Sequence, residues 1–196
     1  MTLHLLKNSL LLFTALFVLS SQSHALFLID PYVGYKKSSA ENGTTPTVEY
    51  DYNSLAYGAR LGLKNMGFSI GADYSMASAD LEAETSGIKV TEAHDQKQLG
   101  VFVGYDLPAM FRFWGTYLLD VEFEDTDGSD SGDTLNGKGY GLGVGYTGLP
   151  FVSINFEYKM YTIDESTSNG VTNTLSAANE IDFKEMMVSL SIPLDL

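Results

Sequence analysis

Bulky apolar residues occupy every second position along much of the chain. From Leu55 to Leu63 one set is Leu55, Tyr57, Ala59, Leu61 and Leu63, and the other is Ala56, Gly58, Arg60 and Gly62. Past a short link containing Asn65 and Gly67 the rhythm resumes. Phe68, Ile70, Ala72, Tyr74 and Met76 alternate with Ser69, Gly71, Asp73 and Ser75. A period of two belongs to β-strands, whose side chains point to opposite faces in turn. Two such runs joined by an Asn- and Gly-containing link predict a β-hairpin.

The same pattern recurs through the chain. Ile29–Lys37 opens it, with Tyr32, Gly34 and Lys36 on one face and Pro31, Val33 and Tyr35 on the other. Lys97–Tyr105 sets Leu99, Val101, Val103 and Tyr105 against Gln98, Gly100, Phe102 and Gly104. In Met110–Phe123 the apolar set is Phe111, Phe113, Tyr117, Leu119 and Val121, and Arg112, Trp114, Thr116, Leu118, Asp120 and Glu122 oppose it. In Lys138–Tyr146 every alternate residue is glycine. Val152–Met160 and a final run from Met186 complete eight predicted strands. Long links at Ser38–Tyr50, Ala79–Gln96, Glu124–Gly137 and Thr162–Asp182 alternate with short ones. That asymmetry predicts an eight-stranded, antiparallel, up-and-down transmembrane β-barrel with four long loops on one side. With an even strand number both termini share the other, periplasmic, side.

Which face meets water decides between this barrel, a soluble β-sandwich and a lipocalin-like barrel. A strand face made only of glycine covers nothing and suits a solvated sheet poorly. Inside a narrow barrel, small residues leave room for large or charged neighbours. Charge points the same way. Lys36, Arg60, Arg112 and Lys159 share the small face with Asp73, Asp120, Glu122 and Glu157, and a cation facing lipid costs about 2–4 kcal/mol at midplane. These eight residues are therefore expected to form a polar network in the lumen. Tyr35, Tyr105, Tyr146 and Phe151 are expected in interfacial girdles.

Composition narrows the rest. The net charge is −14, which excludes nucleic acid as a partner. No cysteine is present, so neither disulfides nor thiolate metal sites arise. Lys7, the apolar run Leu10–Leu19 and Ser23-His24-Ala25 form a secretory signal peptide, with cleavage expected after Ala25. The organisation expected is a leader at 1–25 and one barrel domain at 26–196.

The segments PYVGYK, YGARLGL with FSIGADYS, GKGYGLGVGY and the alternating final strand resemble the small OmpA-like and OmpX-like outer-membrane barrels. The resemblance spans essentially everything after Ala25. It implies a monomer in the outer membrane of a Gram-negative-type bacterium, surrounded by outer-membrane lipid and lipopolysaccharide. Many members end in phenylalanine; this chain ends in Leu196.

Catalysis has little support. His94, in the acidic stretch EAHDQ, is the one histidine beyond the leader. A solitary loop histidine does not make a lipid-modifying site. Asp125, Asp127, Asp130 and Asp133 offer oxygen ligands for a hard cation such as calcium. Gly128 comes too early for an EF-hand, and Asn136 stands where a bidentate glutamate belongs. The stretch is read as a solvated acidic loop, with weak divalent binding as its strongest alternative. No cofactor is expected. A structural or surface-interacting role is the leading function, and a narrow channel for ions or very small solutes is the alternative. Packing favours the first, because eight strands enclose a space that side chains fill.

Overall fold

A computed structural model describes residues 26–42, 49–85, 88–126, 132–168 and 170–196. The expected leader lies outside the described residues. The strands are β1 (Leu26–Asn42), β2 (Glu49–Asn65), β3 (Phe68–Thr85), β4 (Ile88–Leu107), β5 (Phe111–Asp125), β6 (Thr134–Tyr146), β7 (Ser153–Ser168), β8 (Val171–Thr174), β9 (Ile181–Ser191) and β10 (Leu194–Asp195). Each of β1 to β7 pairs antiparallel with the next, and β9 pairs with both β7 and β1. The sheet thus closes into an eight-staved barrel. Short β8 is a flap on the upper part of β7. The chain end adds β10 to the foot of β1, with Phe27 and Leu196 exchanging backbone hydrogen bonds of 2.8 and 2.9 Å. Closure leaves no free edge along the staves.

Three tight turns define what is called here the lower end. In the β2–β3 turn Asn65 pairs with Phe68, so only Met66 and Gly67 lie between, both at positive φ (51° and 84°). Two left-handed residues match the twist of a two-residue hairpin, and glycine supplies the second without strain.

The strands run well beyond the sequence prediction at the upper end. Stretches expected as loops, including most of Ala79–Gln96, are paired strand. The reason is an inversion of polarity halfway up the wall. On lower β9, Met186, Val188 and Leu190 face out while Glu185, Ser189 and Ser191 face in. Two residues higher, Phe183 and Ile181 are buried inside and Lys184 and Asp182 lie outside. The lower wall is greasy outside; the upper wall is built like a water-soluble barrel. Contrast between faces is what a pattern reading detects, and near the crossover it vanishes.

A second difference is a phase flip in β5. Leu99 pairs with Asp120 but Gly100 pairs with Leu118, and Leu118 and Val121 face Gly139 and Gly137. One extra residue at Leu119–Asp120 makes a β-bulge, after which inside and outside exchange. Asp120 and Glu122 therefore lie on the outer wall and not in the lumen, while Val121 and Phe123 turn inward and are buried. Higher on this outer wall Lys97 donates to Glu124 (2.7 Å) and Glu122 (2.9 Å). Those bonds, the one to Glu124 foremost, raise its pKa above the ordinary lysine value.

The outside of the lower barrel carries two aromatic rings of residues. Phe68 and Tyr105 touch (ring centroids 4.5 Å apart), as do Phe111 and Tyr146 (5.6 Å), and Phe151 is exposed near them. About 15–20 Å higher, by the rise and tilt of the strands, stand Tyr35, Tyr57, Tyr117 and Tyr140, all exposed. From Phe27 to Lys37 on β1, residues rising about 3.3 Å each on a stave tilted 35–45° cover about 25 Å, the height of an outer-membrane barrel's apolar band.

Candidate functional site

Inside the belt the lumen is filled by paired charge. Arg60, on β2, is 1% exposed and sits between two rings, with its guanidinium 4.7 Å from the Tyr32 centroid and 4.4 Å from that of Trp114. It forms ion pairs with Asp30 (3.3 Å), Asp73 (3.6 Å) and Glu157. Asp30 also accepts from Arg112 at 2.6 Å, and Tyr32 donates its hydroxyl proton to Asp73 at 2.8 Å. One level up, Glu185 is the hub. It lies 3.6 Å from Lys36 and 3.9 Å from Lys159, and accepts hydrogen bonds from Ser38, Tyr161 and Gln98. Lys159 donates to Gln98 at 2.8 Å. Burying an ion costs several kcal/mol unless a partner and hydrogen bonds offset it. Among the described residues the buried lumen cations Lys36, Arg60, Arg112 and Lys159 are matched by Asp30, Asp73, Glu157 and Glu185.

The structure thus brings together six residues named from the sequence: Lys36, Arg60, Asp73, Arg112, Glu157 and Lys159. It leaves Asp120 and Glu122 outside, through the bulge. Two carboxylates escaped the sequence reading, Asp30 and Glu185. Asp30 stands two positions before Tyr32, which shares a face with Lys36, and Glu185 stands just before the final run at Met186, so carrying the alternation one step further finds both.

Above the ionic layers lies an apolar cap. Tyr52, Phe123, Tyr161, Ile163, Ile181 and Phe183 are buried together. Phe123 and Phe183 stack at 5.2 Å, Tyr161 and Phe183 at 5.1 Å, and Tyr52 meets Phe123 edge-on at 5.6 Å. Near the lower mouth a cavity of about 10 Å³ remains, bounded by Arg60, Arg112, Phe102 and Trp114. That is room for about one water.

The all-glycine face of β6 makes this filling possible. A Cβ at Gly143 would overlap the Trp114 indole ring. Gly143 is the slot that lets Trp114 lie flat against the wall and stack on Arg60. Gly143→Val is expected to lower unfolding stability in detergent by about 1–3 kcal/mol, the usual cost of overpacking. Gly115→Ala is the control, because its nearest outside atom would be an ordinary 3.8 Å away. Equal midpoints for the two variants would refute the slot.

The remaining sequence candidates lie at the upper end. His94 is buried there, and its carbonyl accepts from the Tyr52 hydroxyl at 3.4 Å. Asp125 and Asp133 close the neck of the β5–β6 loop through their backbones, Asp125 N donating to Asp133 O at 2.9 Å. Asp127 and Asp130 lie outside the described residues. Among the described residues no cluster of three or more His, Cys, Asp or Glu is disposed to hold a metal ion.

No protein-family model matches the sequence, and no curated protein matches it either. Solved structures do match in shape. Ail, the attachment invasion locus protein of Yersinia pestis, in complex with the heparin analogue sucrose octasulfate, aligns with TM-score 0.54 at 10% identity, over 86% of this chain and 99% of that one. The outer membrane protein AlkL, in lipid bilayers, aligns at 0.53 and 12%, over 88% and 92%. The outer membrane protein OprG of Pseudomonas aeruginosa aligns at 0.52 and 11%, over 89% and 98%. The chain has the fold of the small outer-membrane β-barrels.

Proposed function

We propose that the protein is a non-enzymatic outer-membrane barrel with a structural or surface-interacting role, its upper end displayed outside the cell and both chain ends in the periplasm. The observation that carries this reading is the lumen: two ionic layers with matched charges, closed above by stacked aromatic rings. The exposed apolar belt supports membrane residence, since contiguous apolar surface of this extent does not stay in water. The upper wall is acidic, with Glu122, Glu124, Asp120 and Asp182 facing out. A soluble polyanion such as the one bound to Ail would be repelled on the β5 side of this wall, so an extracellular partner there would be neutral or cationic. Loops on a rigid scaffold are the usual place for such contacts.

The channel reading is tested by planar bilayer recording of the purified barrel. No steady conductance is expected, and a reproducible open level would overturn the closed reading. A variant with a breached cap, Phe123→Ala with Phe183→Ala, is expected to remain closed, because the ionic layers beneath still fill the bore.

A further inference from the structure

We propose that the outer wall of β6, β7, β9 and β1, at the level where the barrel's polarity inverts, binds the phosphorylated headgroup of a lipid in the surrounding leaflet. The inference rests on the membrane reading above and adds a ligand to it. In so acidic a chain, lysines find carboxylates easily. Lys36, Lys64, Lys97 and Lys159 each have one within 4 Å. Lys37, Lys138 and Lys184 are exposed and have no carboxylate of a described residue within that distance. All three lie on one side of the barrel. Lys37 pairs with Met186 in the β1–β9 ladder, which makes Lys184, two residues away, its diagonal neighbour. Lys184 faces Met160 on β7, which faces Tyr140 on β6, and Lys138 is the next outward residue above Tyr140.

Between Lys138 and Lys184 lies an open groove of about 280 Å³, floored by Tyr140, Met160 and Thr162. Below it the wall is apolar, with Leu142, Phe156 and Met186 exposed. Two cations, Lys138 and Lys184, line a groove that continues downward into hydrocarbon-facing wall, and Lys37 adjoins Lys184 on the next strand. That arrangement fits an amphiphile whose phosphate meets the ammonium groups and whose acyl chain lies on the belt. Lysine binds phosphate as a compact charge, and each basic side chain near an anionic membrane surface strengthens attachment. Two acids accompany the lysines: Asp182 lines the groove, and Asp120 lies on β5 beside β6. Asp182 accepts from Thr162 at 2.6 Å, and Asp120 accepts from Asn136 at 3.3 Å. Both bonds hold a carboxylate on a neighbour other than lysine.

The test uses the full mature barrel in zwitterionic dodecylphosphocholine micelles, with amide chemical shifts followed by NMR. Diphosphoryl lipid A is expected to shift Lys37, Lys138, Tyr140 and Lys184 saturably. The dephosphorylated lipid and inorganic phosphate at equal concentration should not. The triple variant Lys37→Gln, Lys138→Gln, Lys184→Gln should bind about tenfold more weakly or worse, while its heat-modifiable migration shows the barrel intact. Asp182→Asn should bind more tightly. Equal shifts from the dephosphorylated lipid, saturation by free phosphate, or undiminished binding by the triple variant would overturn the site. A mature chain that folds in plain buffer would defeat the membrane reading instead, and that outcome is read separately from lipid titration.

Discussion

Replacing Arg60 with methionine should destabilise the barrel by about 3–5 kcal/mol, the penalty typical of removing one partner from a buried ion network. Asp30, Asp73 and Glu157 all pair with this guanidinium, and all are buried. Without it Asp30 keeps Arg112 at 2.6 Å and Glu157 keeps Lys159 at 3.8 Å, but Asp73 keeps only the Tyr32 hydroxyl. The measurement is urea unfolding of the detergent-solubilised barrel, followed by the single tryptophan, Trp114, which lies against Arg60. Adding Asp73→Asn to the Arg60→Met variant should recover at least half of the loss, because the stranded charge is then gone and Glu157 still pairs with Lys159. The charge account fails if the single variant stays within about 1 kcal/mol of the parent. It also fails if the double variant is no better than the single.

The same residues show what a sequence can disclose about a barrel of this kind. Within the belt each strand separates bulky from small or ionic side chains, so Arg60, Asp73, Glu157 and Lys159 announce their face by parity alone. Asp30 and Glu185 obey the same parity and were missed only because they lie at the ends of the runs. Above the belt the reading fails for a physical reason. The solvent outside changes from hydrocarbon to water, and the apolar residues move inside. Phe183 and Glu185 share a face, as do Tyr161 and Lys159, so no single hydrophobic label fits the whole strand. The cap of Tyr52, Phe123, Tyr161 and Phe183 could be assembled only by the ladder. The sheet also joined the partners of each ion pair, since Arg60 and Glu157 are far apart in the chain and their strands are not neighbours.

The bulge in β5 sets up the second large effect. It absorbs one extra residue, and a strand without a bulge supplies the contrast. Deleting Asp120 restores plain alternation, with Leu118 in, Leu119 out, and Val121 and Phe123 still in. The cap is kept, so this variant should resist protease as well as the parent. Deleting Lys184 from β9, whose ladders to β1 and β7 run without a register shift, has the opposite effect. With Glu185 held in its ionic layer, Phe183 and Ile181 turn outward and Asp182 turns in. Both apolar residues are buried, at 3% and 6% exposure, and Phe183 touches the rings of Tyr50, Phe123 and Tyr161. A carboxylate would enter a space lined by Tyr52, Tyr161 and Ile163. A one-residue slip moves every side chain beyond it to the other face. The Lys184 deletion is therefore expected to unravel the upper barrel while the belt, held by the Arg60 and Glu185 layers, stays folded. Proteolysis in detergent should cut within its upper strands and spare the lower ones, with amide exchange accelerated over Ile181–Phe183 and their partners. If the Lys184 deletion is as resistant as the parent, or the Asp120 deletion is as sensitive, the upper wall does not depend on the phase of its strands.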